Sequence, residues 1–477
     1  MAGIVSYGAY VPYYRLARGD IFMQWFGQVM PFPGEKAVAN FDEDSCTMAV
    51  AAGMDCLGDM DRNKIDGVYM ATTSAPFKER SISGIVSSAL DIRHESRSAD
   101  FTDSVKSGTT AVLAALDAVK AGSAKCLLVT AADLRLGGFA SGAEMMYGDG
   151  AGAFLIGDEN VIAELVASSS INEDFMDTWR SDRDNLARFW EDRWNREESI
   201  GVFLPEVVKS VVAKAGMQMK DITKVAVYGP FPQMHAAITR EIGLQPAQIQ
   251  DTLFNNVGNT GSASPLMMLV AALEEAKPGD TIVVAGYGTG GCDGILFKVT
   301  DNIKKEQARN KRGIKGHVAI KAPTAYQKML RWRELLYPEP GGRADASLRN
   351  ISPQALWRHR KEVFSLYGSK CLACGAAQNP IARVCVKCGV IDKFELIRFS
   401  DKKGKVFTYT NDQLAFSVDP PLSIAIVDFD GGGRQIMDVT DRDPNELKPD
   451  MVVEPTFRKM QYTKGIHNYA WKVKPSR

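Results

Sequence analysis

Three observations predict a duplicated α/β layered fold (α-β-α-β-α) followed by a cysteine ribbon and a small β-barrel. Residues 107–132 (SGTTAVLAALDAVKAGSAKCLLVTAA) and 260–286 (TGSASPLMMLVAALEEAKPGDTIVVAG) state one phrase twice. Each copy has a glycine among small hydroxyl residues, an apolar helix, a glycine stop and a β-rich apolar run. A repeat roughly 150 residues apart is too long for a solenoid and marks two fused half-domains. Second, strands and helices alternate around both copies, as layered α/β folds require. Third, four paired cysteines precede a series of short β runs broken by Gly, Pro and Asp.

The first half, residues 1–165, opens on the strand-like GIVSYGAYVP. An amphipathic helix (SCTMAVAAGMDCLGDM), the strand GVYMATTS, the first repeat copy and a closing run, YGDGAGAFLIG, follow. The second half, 166–300, carries a charged, aromatic stretch at 172–199 that reads as a surface insertion or lid. Next come the helix SIGVFLPEVVKSVVAKAG, the strand KVAVYGPF and the second copy, ending in GYGTGGCDGILFKV. A dinucleotide loop needs a helix after its glycines. Because CDGILFKV reads as a strand, GYGTGG is expected to be a hairpin whose backbone lies close to a ligand. In such a duplicated fold, two buried helices aim their N-termini at the junction, where partial positive charge gathers.

Residues 301–345 are expected to be a basic linker, with KKEQARNKRGIKG solvated and the helical AYQKMLRWRELL packing back on the first module. Residues 346–395 hold a helix and a ribbon in which Cys371, Cys374, Cys385 and Cys388 form C-x2-C-x10-C-x2-C, each pair followed by Gly. Four thiolates at this spacing indicate tetrahedral zinc, and a closed four-sulfur site leaves no position for substrate, so the zinc is structural. Residues 396–477 give the short strands of an OB-type barrel.

Lys+Arg and Asp+Glu are equal at 57 each, so bulk charge favours neither nucleic acid nor a membrane surface as partner. No apolar run reaches membrane-span length, and MAGIVSYGAYVPYYR lacks the features of a signal peptide. Eight cysteines in so long a chain fit a reducing compartment, so a cytoplasmic protein is expected. Cys46, Cys56 and Cys126 read as small buried hydrophobes.

The motifs GIVSYGAYVPYYR, FDEDSCTMAV, GNTGSAS at 258–264 and GYGTGG resemble the 3-hydroxy-3-methylglutaryl-CoA synthase branch of the thiolase superfamily over residues 1–338. DGAGAFLIG is shared more widely with ketoacyl synthases. Residues 346–477 resemble the zinc-ribbon/OB proteins that accompany thiolase-like enzymes as separate subunits, here fused. The resemblance implies a CoA-thioester substrate, a homodimer and possible association with another thiolase-like subunit. It places the family's nucleophilic Cys on Val105, its His on Tyr228 and its acid/base Glu on Thr73. Asn259 matches the family's Asn. The turn at 286–294, with Gly288, Gly290 and Gly291, should offer backbone N–H groups to the thioester oxygen. Glu144 matches a recurrent Glu, either functional or a structural hydrogen-bonding residue. His235, in a probable helix seven residues after Tyr228, reads as a surface or packing residue.

Without the thiol, the fold is left with aldol or retro-aldol chemistry on an acyl-CoA. By resemblance to thiolase-like aldolases that lack the Cys and use tyrosines, Tyr228 becomes the acid/base and Tyr287 an auxiliary group. Three alternatives stand beside this: a synthase-like or thiolase-like acyltransferase using Cys292 or transferring directly, a non-catalytic subunit that binds acyl-CoA or scaffolds a thiolase complex, and last a nucleic-acid-binding role for the zinc-ribbon/OB module.

Overall fold

Gly3–Tyr10 and Ala163–Asn172, the opening strands of the two halves, lie side by side and antiparallel, with Gly3 opposite Glu164 and Ile4 opposite Ala163. This pairing fuses the halves into one nine-stranded sheet. Its spatial order is Lys224–Val227, Thr281–Gly288, Gly291–Val299, Ala163–Asn172, Gly3–Tyr10, Gly150–Gly157, Cys126–Asp133, Gly67–Ala71, Arg97–Phe101. Outward from the junction each half repeats one plan: opening strand, closing strand, then the strand that follows the repeat helix. The duplication legible in the sequence is therefore a duplication of topology. This description comes from a computed structural model and covers residues 1–28, 33–309, 311–337, 352–415, 417–463 and 465–477. The expected boundary at 345/346 lies outside the described residues.

Helix Ser45–Leu57 packs on strands of the first half and helix Ile200–Lys214 on strands of the second. The two repeat helices, Ser107–Lys120 and Ser264–Glu275, touch strands of both halves and so form a middle layer, which completes the α-β-α-β-α order. Their sequences say why. SPLMMLVAAL is buried at every position from Ser264 to Leu273, and a helix apolar all round belongs inside a protein. The helix Ser45–Leu57 instead starts on a capping box. The Asp44 side chain accepts from the Thr47 amide at 2.9 Å, and the Asp44 amide donates to Thr47 Oγ1 at 2.9 Å.

The repeat helices meet at their N-terminal ends, backbone against backbone. A Cβ on Gly108 would sit 2.2 Å from the carbonyl oxygen of Ser262, so only glycine permits the crossing. Around it packs the main core, including Ile4, Phe154, Ile156, Leu266, Leu269 and Phe297.

Two compact units emerge: Met1–Ala39, Asp44–Ser87 and Ile92–Tyr326 form one, and Asn40–Glu43, Ser88–Asp91 and Gln327–Arg477 form the other. Two sequence expectations for 301–345 change. The basic stretch is solvated only in part: Lys304, Lys305 and Lys315 are exposed, but the stretch carries helices Ile303–Gln307 and Gly313–Ala319, and Lys311 pairs with buried Glu306 while also donating to Ser6 Oγ at 2.7 Å. Arg309 donates to the Leu57 carbonyl at 2.8 Å. Nor does the helix Tyr326–Trp332 pack wholly on the first module. From Gln327 onward the chain belongs to the second unit, where Lys328 pairs with Asp419 at 2.7 Å and Arg331 donates to the Ser417 carbonyl at 3.4 Å.

In the second unit, strands Tyr367–Cys371, Ala377–Gln378 and Phe394–Arg398 form the ribbon sheet. A five-stranded antiparallel sheet runs in the order Arg434–Asp438, Leu422–Phe429, Gly404–Asp412, Val452–Thr463, Ile466–Pro475. A bridge between Val439 and Val473 joins its two ends into a near-closed barrel. Arg458, 1% exposed, pairs with Asp42 at 3.2 Å, Glu43 at 2.7 Å and Asp441 at 2.5 Å. Burial opposes ionisation of Asp42, but Lys472 and Arg458 outweigh it and hold the carboxyl below its ordinary range. No helix among the described residues is long and apolar enough to cross a membrane.

The helix crossing carries a test. Gly108→Ala forces its methyl against the Ser262 carbonyl and should cost about 1–3 kcal/mol of stability. Urea unfolding of the full chain, followed by tryptophan fluorescence, should show a lower midpoint.

Candidate active site

The loop before the first repeat helix and the hairpin after the second repeat strand build one wall together. Gly288 pairs with Gly291 across a two-residue turn, Thr289 (φ +50°) and Gly290 (φ +81°), the type I′ geometry that suits tight hairpins. The turn presses against residues 104–106. A Cβ on Gly288 would lie 2.4 Å from Ser104 Oγ and 2.9 Å from the Val105 amide nitrogen. GYGTGG is thus a hairpin whose backbone abuts the loop where the resemblance places a nucleophile, and that residue is Val105.

Each repeat helix meets a buried carboxylate near its N-terminus. Asp293 accepts from Thr109 Oγ1 (3.1 Å), Thr110 Oγ1 (2.7 Å) and Ser170 Oγ (2.8 Å), with Lys106 Nζ at 3.6 Å. Asp133 accepts from the Ser262 amide (2.8 Å) through one oxygen. Its other oxygen takes Thr72 Oγ1 (3.0 Å), the Thr73 amide (2.7 Å) and Ser74 Oγ (2.9 Å). The expected positive potential of the paired helix ends is therefore largely answered from within the protein.

Beside this junction lies a cavity of about 210 Å³. The first half contributes Thr73, Val105, Arg135 and Tyr147; the second contributes Tyr228, Tyr287 and Gly288. The insertion at 172–199 supplies Asp177, Trp179 and Phe189, so it is a wall of the site. Its short strands Thr178–Trp179 and Arg188–Phe189 pair antiparallel. The guanidinium carbon of Arg135 stands 4.4 Å from the Tyr147 ring centre. Among the described residues no carboxylate pairs with it.

Several residues singled out in the sequence converge here. Tyr228 is buried on the cavity wall, and its hydroxyl oxygen accepts from Asn259 Nδ2 at 3.1 Å. The same amide group donates to the Pro230 carbonyl at 3.2 Å, and Asn259 Oδ1 accepts from the Gly261 amide at 2.9 Å. Asn259 therefore holds Tyr228 and has no N–H donor left over for a thioester oxygen. Burial pushes the Tyr228 phenol up, against the opposing pull of Arg135 and the Asn259 bond, so it remains a proton donor.

Others are not brought together. Cys292 is buried in the apolar cluster with Val207, Val211 and Leu296, away from the cavity lining; burial, then Asp293, keeps its thiol protonated. Of the three turn glycines only Gly288 lines the cavity. The Gly290 amide already donates to the Tyr287 hydroxyl at 3.2 Å, and Gly291 packs on the Lys106 side chain. Tyr287 reaches the cavity, but its hydroxyl is occupied by Asp177, Ser199 Oγ at 2.5 Å and the Gly290 amide. His235 is buried on helix Pro232–Ile242, and burial pushes it down to about 4. It packs under Gly229 and does not line the cavity. Glu144 is structural: it accepts from Trp25 Nε1 (3.0 Å), the Ala140 amide (2.8 Å) and Tyr326 Oη (2.5 Å). Burial raises Cys56 to about 11 and Cys126 to about 12, and Cys46 is likewise buried and raised. No cysteine lines the cavity. The sequence reading missed Arg135, Tyr147, Asp177 and Phe189.

In the second unit the four ribbon cysteines converge. All four sulfurs lie within 4.8 Å of one another, with Cys371–Cys388 at 3.7 Å and Cys374–Cys385 at 3.6 Å. Sulfurs about 2.3 Å from a tetrahedral zinc stand roughly 3.8 Å apart, so the donor set fits that ion. Two equivalent turns present them. The Cys371 amide donates to the Ala376 carbonyl and the Gly375 amide to the Cys371 carbonyl; Cys385, Val390 and Gly389 repeat the pattern.

Comparison with known proteins agrees with this architecture. Residues 212–297 match the family described as 3-oxoacyl-[acyl-carrier-protein] synthase III C terminal, and residues 398–458 match the ChsH2 C-terminal OB-fold domain. The hydroxymethylglutaryl-CoA synthase of Methanosarcina mazei is 31% identical over 320 residues, 65% of this chain and 91% of that one. That of Methanopyrus kandleri is 30% identical over 318 residues, 65% and 90%. A crystal structure of HMG-CoA synthase complexed with CoA superposes with a TM-score of 0.61 at 20% identity, over 74% of this chain and 95% of that one. Synthase III from Aquifex aeolicus gives 0.56 at 20% identity, over 62% and 100%. The two halves therefore form a thiolase-like fold.

The sulfur geometry predicts bound zinc. Metal analysis of the purified chain should find it, and cobalt exchange should give intense thiolate charge-transfer bands. Cys374→Ser should lose the metal and lower the melting temperature.

Proposed function

The chain belongs to the hydroxymethylglutaryl-CoA synthase family, and from that premise we propose that it makes or breaks a carbon–carbon bond beside a CoA thioester by aldol or retro-aldol chemistry, with no acyl-cysteine. The observation that carries this reading is the cavity wall itself: Val105 stands at the mouth of the first repeat helix, and none of the eight cysteines lines the cavity. Acyl transfer through a cysteine needs a thiolate that this wall does not hold. Aldol and retro-aldol steps need only stabilisation of an enolate and a group to carry one proton.

The lining supports that chemistry. Tyr228 keeps its proton, and Asn259 fixes its oxygen from behind, so its O–H is left to donate to a thioester oxygen in the cavity. Arg135, beside it and without a carboxylate partner, adds a fixed positive charge where enolate charge would develop. The synthase-like alternative through Cys292 is disfavoured by that residue's burial. The four ribbon cysteines would hold zinc as a structural ion that stiffens the ribbon and takes no part in the reaction. Assembly as a homodimer, or with a second thiolase-like subunit, belongs to the same reading on resemblance alone.

Tyr228→Phe removes one donor to the developing oxyanion and should lower kcat about 100–1000-fold, with acyl-CoA affinity retained in a binding titration. Iodoacetamide should leave turnover unchanged. Mass spectrometry of the protein during turnover should show no retained acyl group; a thioester adduct on any cysteine defeats the noncovalent mechanism.

A further inference from the structure

An enolate site needs a partner that accepts the hydroxyl proton, and none of the three cavity tyrosines fits. Burial holds Tyr147 and Tyr228 protonated, and Tyr287 has spent its proton and its lone pairs on Asp177, Ser199 and the Gly290 amide. Two carboxylates line the cavity, and of these Asp103 is exposed, which leaves Asp177 as the buried candidate. It is 4% exposed and lines the cavity. Its backbone is fixed, its amide donating to the Phe175 carbonyl at 3.1 Å and its carbonyl accepting from the Trp190 amide at 2.9 Å. One carboxylate oxygen, Oδ2, is held by Tyr287; the other, Oδ1, is buried with no hydrogen-bond partner within 3.5 Å among the described residues, although the Thr178 and Asp177 amides also favour the carboxylate. A buried carboxylate oxygen left unpaired is costly unless a ligand proton meets it.

We propose that Asp177 is the catalytic base of this site and that Tyr287 is its positioning residue. The inference rests on the lyase reading above and extends it. In the retro-aldol direction the hydroxyl proton of a 3-hydroxyacyl-CoA passes to Oδ1 of Asp177. The electron pair of the broken O–H bond becomes the second Cβ–O bond of the carbonyl as the Cα–Cβ electron pair moves onto the thioester as its enolate. The same proton then returns to Cα, releasing a ketone or aldehyde and a shorter acyl-CoA. Atoms and electrons balance without any further reactant.

The surroundings suit a base. Burial pushes the Asp177 carboxyl above its ordinary range, and the Tyr287 bond pulls the other way. Among the described residues Tyr287, Tyr228, Cys292 and Arg135 act on it or are acted on by it, the first three kept protonated by burial and Arg135 charged, while Asp103 and Arg180 line the same cavity. A carboxyl lifted toward the working pH accepts a proton more readily than one left at its usual value.

The test uses the full-length protein with a panel of 3-hydroxyacyl-CoAs, measuring kcat and kcat/KM against pH and acyl-CoA affinity by calorimetry. The parent chain should lose activity as pH falls through the raised carboxyl value, since protonation removes the base. Asp177→Asn should lower kcat at least about 100-fold and abolish that acid limb while still binding acyl-CoA. Tyr287→Phe removes the bond that stabilises the carboxylate, so the acid limb should move to higher pH. Turnover by Asp177→Asn within tenfold of the parent, loss of its acyl-CoA binding, or an unmoved limb in Tyr287→Phe each overturns the proposal while leaving the lyase reading intact. A parent chain that cleaves none of the panel defeats the lyase reading itself, and the base assignment with it.

Discussion

The first unit depends on one close contact, the meeting of Gly108 with the Ser262 carbonyl where the two repeat helices cross. Any side chain at 108 would push the helices apart, and with them the strands that follow each helix in the two halves of the sheet. The crossing fixes where the helix N-termini lie, and so where the loop at 104–106 meets the hairpin at Gly288. It also explains why both halves supply a buried aspartate. Two helix ends this close concentrate N–H groups and partial positive charge in an apolar interior, and leaving them unanswered would cost more than burying two carboxylates that are each fully bonded. Asp133 and Asp293 meet that need. The cavity is the space left beside the crossing.

The fold was legible because its signals are local. The repeat carries its own helix period, its glycine and its β run, and 264–273 is apolar on every face, which no exposed helix tolerates. The ribbon was legible for the same reason, since thiolate spacing is read directly from four positions. The site was legible in part: Val105, Thr73, Tyr228 and Tyr287 do line one cavity. What escaped depends on distant partners. Asp177 sits in a stretch dense with exposed charge, and only Tyr287, 110 residues further on, makes it a buried group. Lys311 reads as solvated until Ser6 and Glu306 close around it. The helix at 326–332 is amphipathic whichever unit it joins, and periodicity cannot say which; Asp419 and Ser417 decide it. The free amides expected of a glycine-rich turn were likewise lost to a local demand, the Gly290 amide being taken by the tyrosine three residues before it.

The missing thiol and the electrostatics around it point the same way. A nucleophilic cysteine at a helix N-terminus works because positive potential there stabilises the thiolate. In this chain the first repeat helix already has Asp293 bonded to the hydroxyls of Thr109 and Thr110 in its first turn, a charge that would disfavour a nearby thiolate. Valine at 105 is thus one part of a consistent environment. The same carboxylate, together with burial, keeps Cys292 protonated, so the thiol nearest the junction is no better suited to attack. Positive charge beside the buried phenol comes instead from Arg135, which forms no ion pair among the described residues. A guanidinium and a phenol O–H facing one cavity are poor at forming a covalent acyl intermediate and well placed to hold an oxyanion. Chemistry in this cavity is accordingly governed by where charge is stabilised, and of the buried lining oxygens without a hydrogen-bond partner, on Thr73, Tyr147 and Asp177, only that of Asp177 belongs to a carboxylate.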